Sequence, residues 1–388
     1  MAVNRMVLNE TSYFGPGARK VIMDEIKRRG FKKAFVVTDK DLIKFHVAEM
    51  VLHELEAAGF PYQIYDNVKQ NPTVANVQQG VDSFKNSAAD FLIAIGGGSP
   101  IDTAKGIGII VNNPEFYDVC SLEGVAATKK PSVPIIALPT TAGTAAEVTI
   151  NYVITDEKKT KKMVCVDPHD IPVLAIVDPE LMLSMPKGLT AATGMDALTH
   201  AIEGYITKGA WEMSDTFSLK AIRMIARHLE KAVTDPSDIT AREGMAVAQY
   251  IAGMSFSNVG LGIVHSMAHP LGAFYDTPHG VANALLLPYV MEFNAPAAQE
   301  KFREIARMMG VPDVDKLSLD DAALAAVNAV KALSQKIGIP QKLSEIGVKE
   351  GDLEELAQAA FHDVCTPGNP RDVSISDILG LYRKAYSW

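Results

Sequence analysis

Residues 91–102 read FLIAIGGGSPID, a run of apolar residues that leads into three glycines, a serine and a proline. A short continuous apolar run is typical of a buried strand in a parallel sheet, and residues 100 to 111 have the pattern of a helix. Glycines at such a junction let the backbone approach a pyrophosphate, whose charge the N–H groups at the helix start attract. A tight turn without a ligand is the alternative, but three consecutive glycines exceed what a turn needs.

The same segment predicts how its helix begins. Proline suits the first helical position, so we expect the helix to begin at Pro100. Ser99 and Asp102, three residues apart, have the spacing of a capping pair at a helix N-terminus. The sequence therefore predicts a phosphate-binding helix start that is capped by Ser99.

Strands and helices alternate on both sides of this segment. Upstream, an edge strand within residues 3–14, a helix over 16–30 and a buried strand over 33–38 are followed by a helix to about residue 58. A strand over 61–68 and a helix opened by Asn71-Pro72-Thr73 come next. Downstream, an apolar strand over 133–138 ends in PTTAGT, which carries several hydroxyls. This alternation predicts an α/β domain with a doubly wound parallel sheet, whose strand ends line a ligand crevice.

The pattern changes near residues 178–189. Beyond it strand signals nearly vanish, and the chain has the pattern of successive amphipathic helices rich in Ala, Met and Leu. We therefore expect two domains, residues 1–184 (α/β) and 185–388 (all-α). The predicted helices of the second domain cover about 190–206, 211–232, 239–256, 261–272, 279–293, 297–309, 319–337, 351–362 and 374–385.

Histidines cluster in the helical half. His265 and His269 are four residues apart and share one face of a helix, and His279 follows a turn over 272–278. Asp196 and His200 repeat the four-residue spacing on an earlier helix. One carboxylate with several imidazoles is the ligand set of Fe(II), Zn(II) or a similar divalent ion. Structural histidines are the alternative, but two such pairs seldom arise by chance. The spacing does not say which of the five residues bind.

Composition excludes other classes of protein. The chain has 388 residues, 48% of them apolar and 21% charged, and a net charge of −9. No basic patch stands out, which argues against a nucleic-acid partner. No apolar stretch has the length of a membrane helix, and the N-terminus lacks a signal peptide's apolar region. Three widely spaced cysteines, Cys120, Cys165 and Cys365, fit reduced thiols in a cytoplasm.

Four motifs together resemble one family. GGGSPID, PTTAGTAAEVT, GMDALTHAIEG and GLGIVHSMAHPLGAFYDTPHG occur in the order found in the iron-dependent (group III) alcohol dehydrogenases, and the resemblance covers nearly the whole chain. It implies a dehydroquinate synthase-like fold, with an N-terminal dinucleotide-binding domain and an all-helical metal-binding domain. It also implies hydride transfer between NAD(H) and short alcohols or aldehydes, with the substrate oxygen on Fe(II) or, alternatively, Zn(II). A homodimer is expected.

The resemblance also assigns residues. The implied metal ligands are Asp196, His200, His265 and His279, whereas His269 is implied to act in proton transfer near the nicotinamide. Implied substrate contacts are Asn151, near a hydroxyl, and Phe256, as an apolar wall. The implied cofactor-binding residues are Asp39, Asn71, Gly97, Gly98, Ser99, Asp102, Thr140, Thr141, Thr144, Thr149, Val153, Lys162 and Leu181.

Some of these assignments have alternatives. Asp39 follows a strand, where it could accept ribose hydroxyls and repel the 2′-phosphate of NADP, but it could equally begin the next helix. Lys162 lies in the run KKTKK, which a solvated loop would also explain, and Lys161 could serve in its place. A metal- and NAD-dependent polyol dehydrogenase of the dehydroquinate-synthase type is the nearest rival function. A metal-dependent hydrolase is the other, and Glu203 would be its only nearby general base.

Overall fold

A computed structural model describes residues 3–387 of the chain. It contains two compact units, divided between Ser184 and Met185. The three cysteines are free thiols. Among residues 3–387 no single helix has the length and apolar composition to cross a membrane. One pair of helices, Ile239–Val259 and Ile263–Tyr275, passes by length and composition when taken together, and it is bent by 101°.

The first unit is built on a six-stranded parallel sheet, as the alternation of strands and helices predicts. The order of its strands is β1-β9-β6-β4-β2-β3, and every neighbouring pair is parallel. The expected edge strand within 3–14 is limited to β1. The strands of the unit are β1 (Thr11–Phe14), β2 (Ala34–Val37), β3 (Tyr62–Tyr65), β4 (Phe91–Gly96), β5 (Gly124–Val125), β6 (Ile135–Pro139), β7 (Asn151–Asp156), β8 (Lys161–Val166) and β9 (Leu174–Val177).

Helices cover both faces of this sheet. In β2, Phe35 and Val37 contribute to one apolar core, whereas Ala34 and Val36 contribute to the other. This division follows from the period of two along a strand, and burial of both faces explains the continuous apolar runs. The helices are α1 (Ile22–Arg29), α2 (Lys40–Lys44), α3 (Val47–Ala57), α4 (Val74–Ser87) and α5 (Gly98–Asn112). α1 and α3 pack on one face, and α4 and α5 on the other.

A smaller sheet, which the sequence analysis did not anticipate, joins β5, β8 and β7. β7 and β8 are antiparallel, with Asn151 opposite Val166 and Val153 opposite Val164. In β7 the buried residues Tyr152 and Ile154 alternate with the partly exposed Asn151 and Val153. Such a half-buried strand lacks the continuous apolar run by which β2, β4 and β6 were predicted.

The second unit is helical throughout its described residues, as predicted. Helix boundaries differ from the prediction by up to three residues. The difference in α9 bears on the site: this helix continues to Tyr275, so the turn before His279 spans only residues 276–278 and begins at Asp276, whose φ is 51°. The α-helices are α6 (Lys187–Ile206), α7 (Glu212–Thr234), α8 (Ile239–Val259), α9 (Ile263–Tyr275), α10 (His279–Asn294), α11 (Gln299–Met308), α12 (Leu319–Lys336), α13 (Leu353–Phe361) and α14 (Ile375–Ser387).

Candidate functional site

Four side chains of the second unit converge on one point. Asp196 and His200 come from α6, His265 from α9, and His279 is the first residue of α10. One potential ligand atom from each lies within 4.8 Å of the others. The first three residues are buried and His279 is half-buried. The structure therefore brings together the four residues that the family resemblance implies as metal ligands, close enough for one ion to reach all four with small side-chain adjustments.

Glu203 fixes the orientation of the His265 ring. Its Oε2 lies 2.5 Å from His265 Nδ1, and its Oε1 accepts the Val264 backbone N–H at 2.7 Å. Because Nδ1 faces a carboxylate, the proton belongs on Nδ1, and Nε2 carries the lone pair toward the cluster. Burial lowers the pKa of His265 to about 4, so the ring is neutral, as a ligand must be. Glu203 is thus committed to His265 and the start of α9, which argues against its use as a hydrolase base.

Asn283 shows where the lone pairs of the cluster meet. Its Nδ2 lies 2.7 Å from Asp196 Oδ1 and 3.1 Å from the Nε2 atoms of both His265 and His279. Three acceptor atoms pointing at one electropositive group form a donor set that fits a divalent cation of the iron or zinc type. The sequence analysis missed Asn283, although it lies one helical turn after His279.

His269 stands beside this cluster with a different partner. Its Nδ1 lies 2.7 Å from Asp363 Oδ2, and its ring stacks on that of His279 with centroids 5.5 Å apart. Burial alone would raise the pKa of Asp363, but His269 and hydrogen bonds lower it to about 2. An ionised Asp363 holds the proton on Nδ1 and leaves Nε2 of His269 available for proton exchange. The sequence analysis did not predict Asp363 as the partner of His269.

Phe256 packs directly on one member of the Asp/His cluster. Its ring is stacked on His200, with centroids 4.1 Å apart and an interplanar angle of 9°, and the side chain is buried. Its backbone is so close to Gly204 that a Cβ added to this glycine would lie 3.3 Å from Phe256 Cα. Phe256 therefore forms an apolar surface against one cluster residue, which is compatible with the predicted apolar wall.

The glycine-rich loop of the first unit begins α5 without a side-chain cap. The helix starts at Gly98 with Gly97 as N-cap residue, and no side chain accepts a hydrogen bond at that cap. The predicted capping pair of Ser99 and Asp102 is therefore wrong, because the helix begins two residues before Pro100. A residue that lacks a side chain caps the helix by conformation alone, so its first N–H groups are left for an anion.

Two threonines of the PTTAGT loop pack against these glycines. A Cβ on Gly97 would lie 3.0 Å from the Thr141 hydroxyl, and one on Gly98 would lie 3.1 Å from Thr144 Cγ2. The Thr140 N–H donates to Gly96 O at 3.0 Å, which joins the two strand ends. The structure thus gathers five of the predicted cofactor residues, Gly97, Gly98, Thr140, Thr141 and Thr144, at neighbouring ends of β4 and β6.

Further cofactor candidates lie along α5 and β7. Ser99 is on the first turn of α5, where its carbonyl accepts the Thr103 hydroxyl. Asp102 Oδ2 accepts the Val153 N–H at 3.0 Å. Thr149 is buried, and its hydroxyl accepts a hydrogen bond from the Lys105 ammonium at 3.0 Å. Asn151 and Val153 both lie at the start of β7, half-buried.

The remaining candidates fall into two groups. Lys162 is buried and donates to Asn71 Oδ1 at 2.8 Å, whereas the exposed Lys161 pairs with Glu123 at 2.5 Å. This difference favours Lys162 over Lys161 as the residue of the site. Leu181, by contrast, is buried in the sheet core that contains α1 and α3, where nothing marks it as a cofactor contact.

Asp39 serves as the N-cap of α2. Its Oδ1 accepts the Leu42 N–H at 2.9 Å, so the alternative that it begins a helix is correct. Burial raises the pKa of this carboxyl. The cap uses Oδ1 of the carboxylate, and the contact of Asp39 with ribose hydroxyls stays a prediction.

Comparisons with known proteins assign this architecture to a family. The profile of iron-containing alcohol dehydrogenases matches residues 9–179, and the C-terminal profile of the same family matches residues 190–386. The chain is 60% identical over 383 residues to lactaldehyde reductase of Escherichia coli K12, covering 99% of this chain and all of that protein. The chain belongs to the iron-containing alcohol dehydrogenase family.

Other members are similar over the same length. The 1,3-propanediol dehydrogenase of Citrobacter freundii is 46% identical over 377 residues, covering 97% of both chains. A crystal structure of a 1,3-propanediol oxidoreductase has a TM-score of 0.96 at 44% identity and covers 99% of this chain and all of that one. The sulfoacetaldehyde reductase of Bifidobacterium kashiwanohense, solved with NAD+, has a TM-score of 0.89 at 30% identity over the whole of both chains. The fold of the family is therefore the fold of this chain.

Proposed function

We propose that this iron-containing alcohol dehydrogenase uses NAD(H) and Fe(II) to interconvert lactaldehyde and 1,2-propanediol, along with other short alcohols and aldehydes. The observation that carries the proposal is the convergence of Asp196, His200, His265 and His279 within 4.8 Å. Identity of 60% to a lactaldehyde reductase and 46% to a 1,3-propanediol dehydrogenase supports small diols and hydroxyaldehydes as substrates.

Each unit has its own task in this proposal. The first unit binds NAD(H), with the pyrophosphate at the uncapped start of α5 and the adenosine ribose near Asp39. The second unit holds Fe(II), or Zn(II) in its place, through three imidazole nitrogens and one carboxylate. When bound, the ion supplies Lewis-acid polarisation of the substrate oxygen.

The protein's own residues supply orientation and proton transfer. His269 takes up or releases the substrate proton at Nε2, because Asp363 holds its Nδ1 at 2.7 Å. The Asn151 amide binds the second hydroxyl of a vicinal diol. Phe256 limits substrate length. The enzyme is cytoplasmic and homodimeric, with small molecules as partners and neither nucleic acid nor membrane among them.

Following NADH absorbance tests the proposal. Anaerobically purified protein, with its metal content measured, is mixed with lactaldehyde, propanal and longer or aromatic aldehydes. We expect NADH oxidation that requires the metal and is fastest with the short aldehydes. Absence of any aldehyde-dependent change in NADH would favour a hydrolase and refute the proposal.

Phe256→Ala extends this experiment. Loss of the ring should open activity toward longer or aromatic aldehydes, and it should destabilise the fold by about 3–5 kcal/mol because Phe256 is buried. Phe256→Leu is the control, since it preserves most of the apolar volume. An unchanged substrate range in Phe256→Ala, measured with metal content matched to the native enzyme, would show that Phe256 only supports His200.

A further inference from the structure

The ammonium group of Lys105 contacts the segment that carries Asn151. Lys105 is on α5, and its side chain is fully buried. Its Nζ donates to the Thr149 carbonyl at 2.6 Å, to the Thr149 hydroxyl at 3.0 Å and to the Asn151 carbonyl at 2.9 Å. Asp170 Oδ1 lies 3.8 Å from the same nitrogen. A buried ammonium is costly unless it is paired and hydrogen-bonded, and these groups provide that compensation.

Asp102 extends the same contact along β7. It precedes Lys105 by three residues, so both side chains leave the same face of α5. Its Oδ2 accepts the Val153 N–H at 3.0 Å. The helix therefore binds the backbone of residues 149, 151 and 153 through two ionisable side chains. On the other side of β7, antiparallel pairing with β8 holds the strand.

Packing alone does not require a charged residue here. A methionine of similar length would fill the space without the desolvation penalty of an ammonium. What an ammonium adds is a set of directional bonds to two carbonyls, that of Thr149 just before β7 and that of Asn151 at its first residue. The residue of β7 whose backbone is held in this way is Asn151, because its carbonyl is one of the acceptors. The backbone in turn sets the point from which the Asn151 amide extends.

We propose that Lys105 is a positioning residue that holds Asn151 in place to discriminate vicinal diols from simple alcohols. This inference rests on the proposed function, because it takes Asn151 as the group that binds the second substrate hydroxyl. The proposed role gives Lys105 no contact with substrate or cofactor. It acts through the backbone of β7.

A double-mutant cycle tests the inference. The measured quantity is the ratio of kcat/KM for 1,2-propanediol to that for 1-propanol. Asn151→Ala should lower this ratio by about two- to tenfold, which corresponds to one hydrogen bond. The second variant combines Lys105→Met with Asp170→Asn, so that no buried carboxylate is left unpaired. This variant should lower the ratio by a similar factor. Adding Asn151→Ala to that pair should lower the ratio no further, because both changes remove the same interaction.

Two control variants separate positioning from loss of stability. Asp170→Asn alone perturbs the buried pair but preserves the bonds from Lys105 to the two carbonyls, so the ratio should stay native. Asn113→Ala, at the other end of α5, removes a buried amide that bonds the backbone of Lys129 and Lys130, and it should also leave the ratio unchanged. If the methionine variant does not fold, Lys105→Arg replaces it. Its longer planar group cannot occupy the same point, so the ratio should also fall.

The outcomes distinguish this inference from the proposed function. Two results would overturn only the role of Lys105. One is a native kcat/KM ratio in the Lys105 variants. The other is a combined variant whose ratio falls by the product of the factors seen for the Lys105 change and for Asn151→Ala separately. An unchanged ratio in Asn151→Ala overturns the role of Lys105 together with the substrate role of Asn151. If the native enzyme shows no NAD-linked turnover, the proposed function is overturned, and this inference with it.

Discussion

At the scale of single residues, substitutions in the four-residue Asp/His cluster should have different effects from a substitution of its neighbour His269. His265→Ala and His279→Ala each remove a ligand atom, so we expect loss of bound metal and of nearly all activity. His269→Ala should keep the metal and lower the rate, because His269 contacts Asp363 through Nδ1 and is outside the group of four ligands. Metal analysis of anaerobically purified protein, with circular dichroism to verify folding, measures this difference.

His53→Ala is the matched control, since His53 is exposed on α3 of the first unit and should affect neither metal nor rate. An empty site in His269→Ala together with a full site in His265→Ala would reverse the proposed assignment of ligands.

Asp39 should determine the choice between NAD(H) and NADP(H). Removing its negative charge should relax the preference for NAD(H) by about 1–3 kcal/mol, or about 5- to 150-fold in the ratio of kcat/KM values. Because Asp39 also caps α2, two variants are needed. Asp39→Asn removes the charge and keeps a side chain that can accept the Leu42 N–H, whereas Asp39→Gly removes both the charge and that hydrogen bond. Equal relaxation in both variants identifies the charge as the cause, and native discrimination in both would exclude Asp39 from the cofactor site.

The sequence revealed the cluster residues but not the residues that hold them. Two i,i+4 pairs are a local signal, and their spacing alone predicts a metal site. Glu203 and Asp363 are separated from their histidine partners by 62 and 94 positions, respectively. Such pairings depend on tertiary packing, which no local pattern encodes. Asn283 was accessible in principle, because its spacing from His279 places both on one helical face.

At the scale of elements, the glycines Gly98 and Gly188, at the starts of α5 and α6, should respond differently to replacement by alanine. Gly98→Ala should raise the KM for NAD(H), because its Cβ would lie 3.1 Å from Thr144 Cγ2 in the predicted phosphate loop. Gly188→Ala, in the first turn of α6, meets nothing within 4 Å and should stabilise the protein by about 0.5–1 kcal/mol. Thermal unfolding and cofactor titration of both variants provide the measurement. A native KM in Gly98→Ala would argue against a phosphate at this helix start.

Most elements with a strong apolar signal were predicted, but β9 was missed although its run LAIV is fully buried. The six α-helices from α9 to α14 and three of the core strands, β2, β4 and β6, lie close to their expected positions because apolar periodicity dominates there. β7 and β8 were missed because polar and charged residues alternate with apolar ones in NYVITD and KKMVCV. The cap of α5 was misjudged because a glycine N-cap leaves no side-chain signal.

At the scale of the whole molecule, the proposed homodimer gives a direct prediction. We expect a solution mass of about twice the 41.8 kDa of one chain. β1 is the edge strand of the large sheet, and its Phe14 is 45% exposed. Phe14→Lys should weaken the dimer, because a lysine on an edge strand disfavours pairing with another chain. Light scattering after gel filtration measures the mass. Phe45→Lys, at another exposed phenylalanine of the same unit, should leave it unchanged.

The pairing of β1 with β9 bears on how the protein is made. The first strand of the large sheet lies beside its last one, with Thr11 opposite Leu174 and Phe14 opposite Val177. During synthesis at about 5–20 residues per second, β1 leaves the ribosome several seconds before its neighbour exists. β1 therefore has no β9 to pair with while the rest of the sheet is translated. Slow codons or a chaperone acting on the nascent chain before residue 177 would have their greatest effect on this strand.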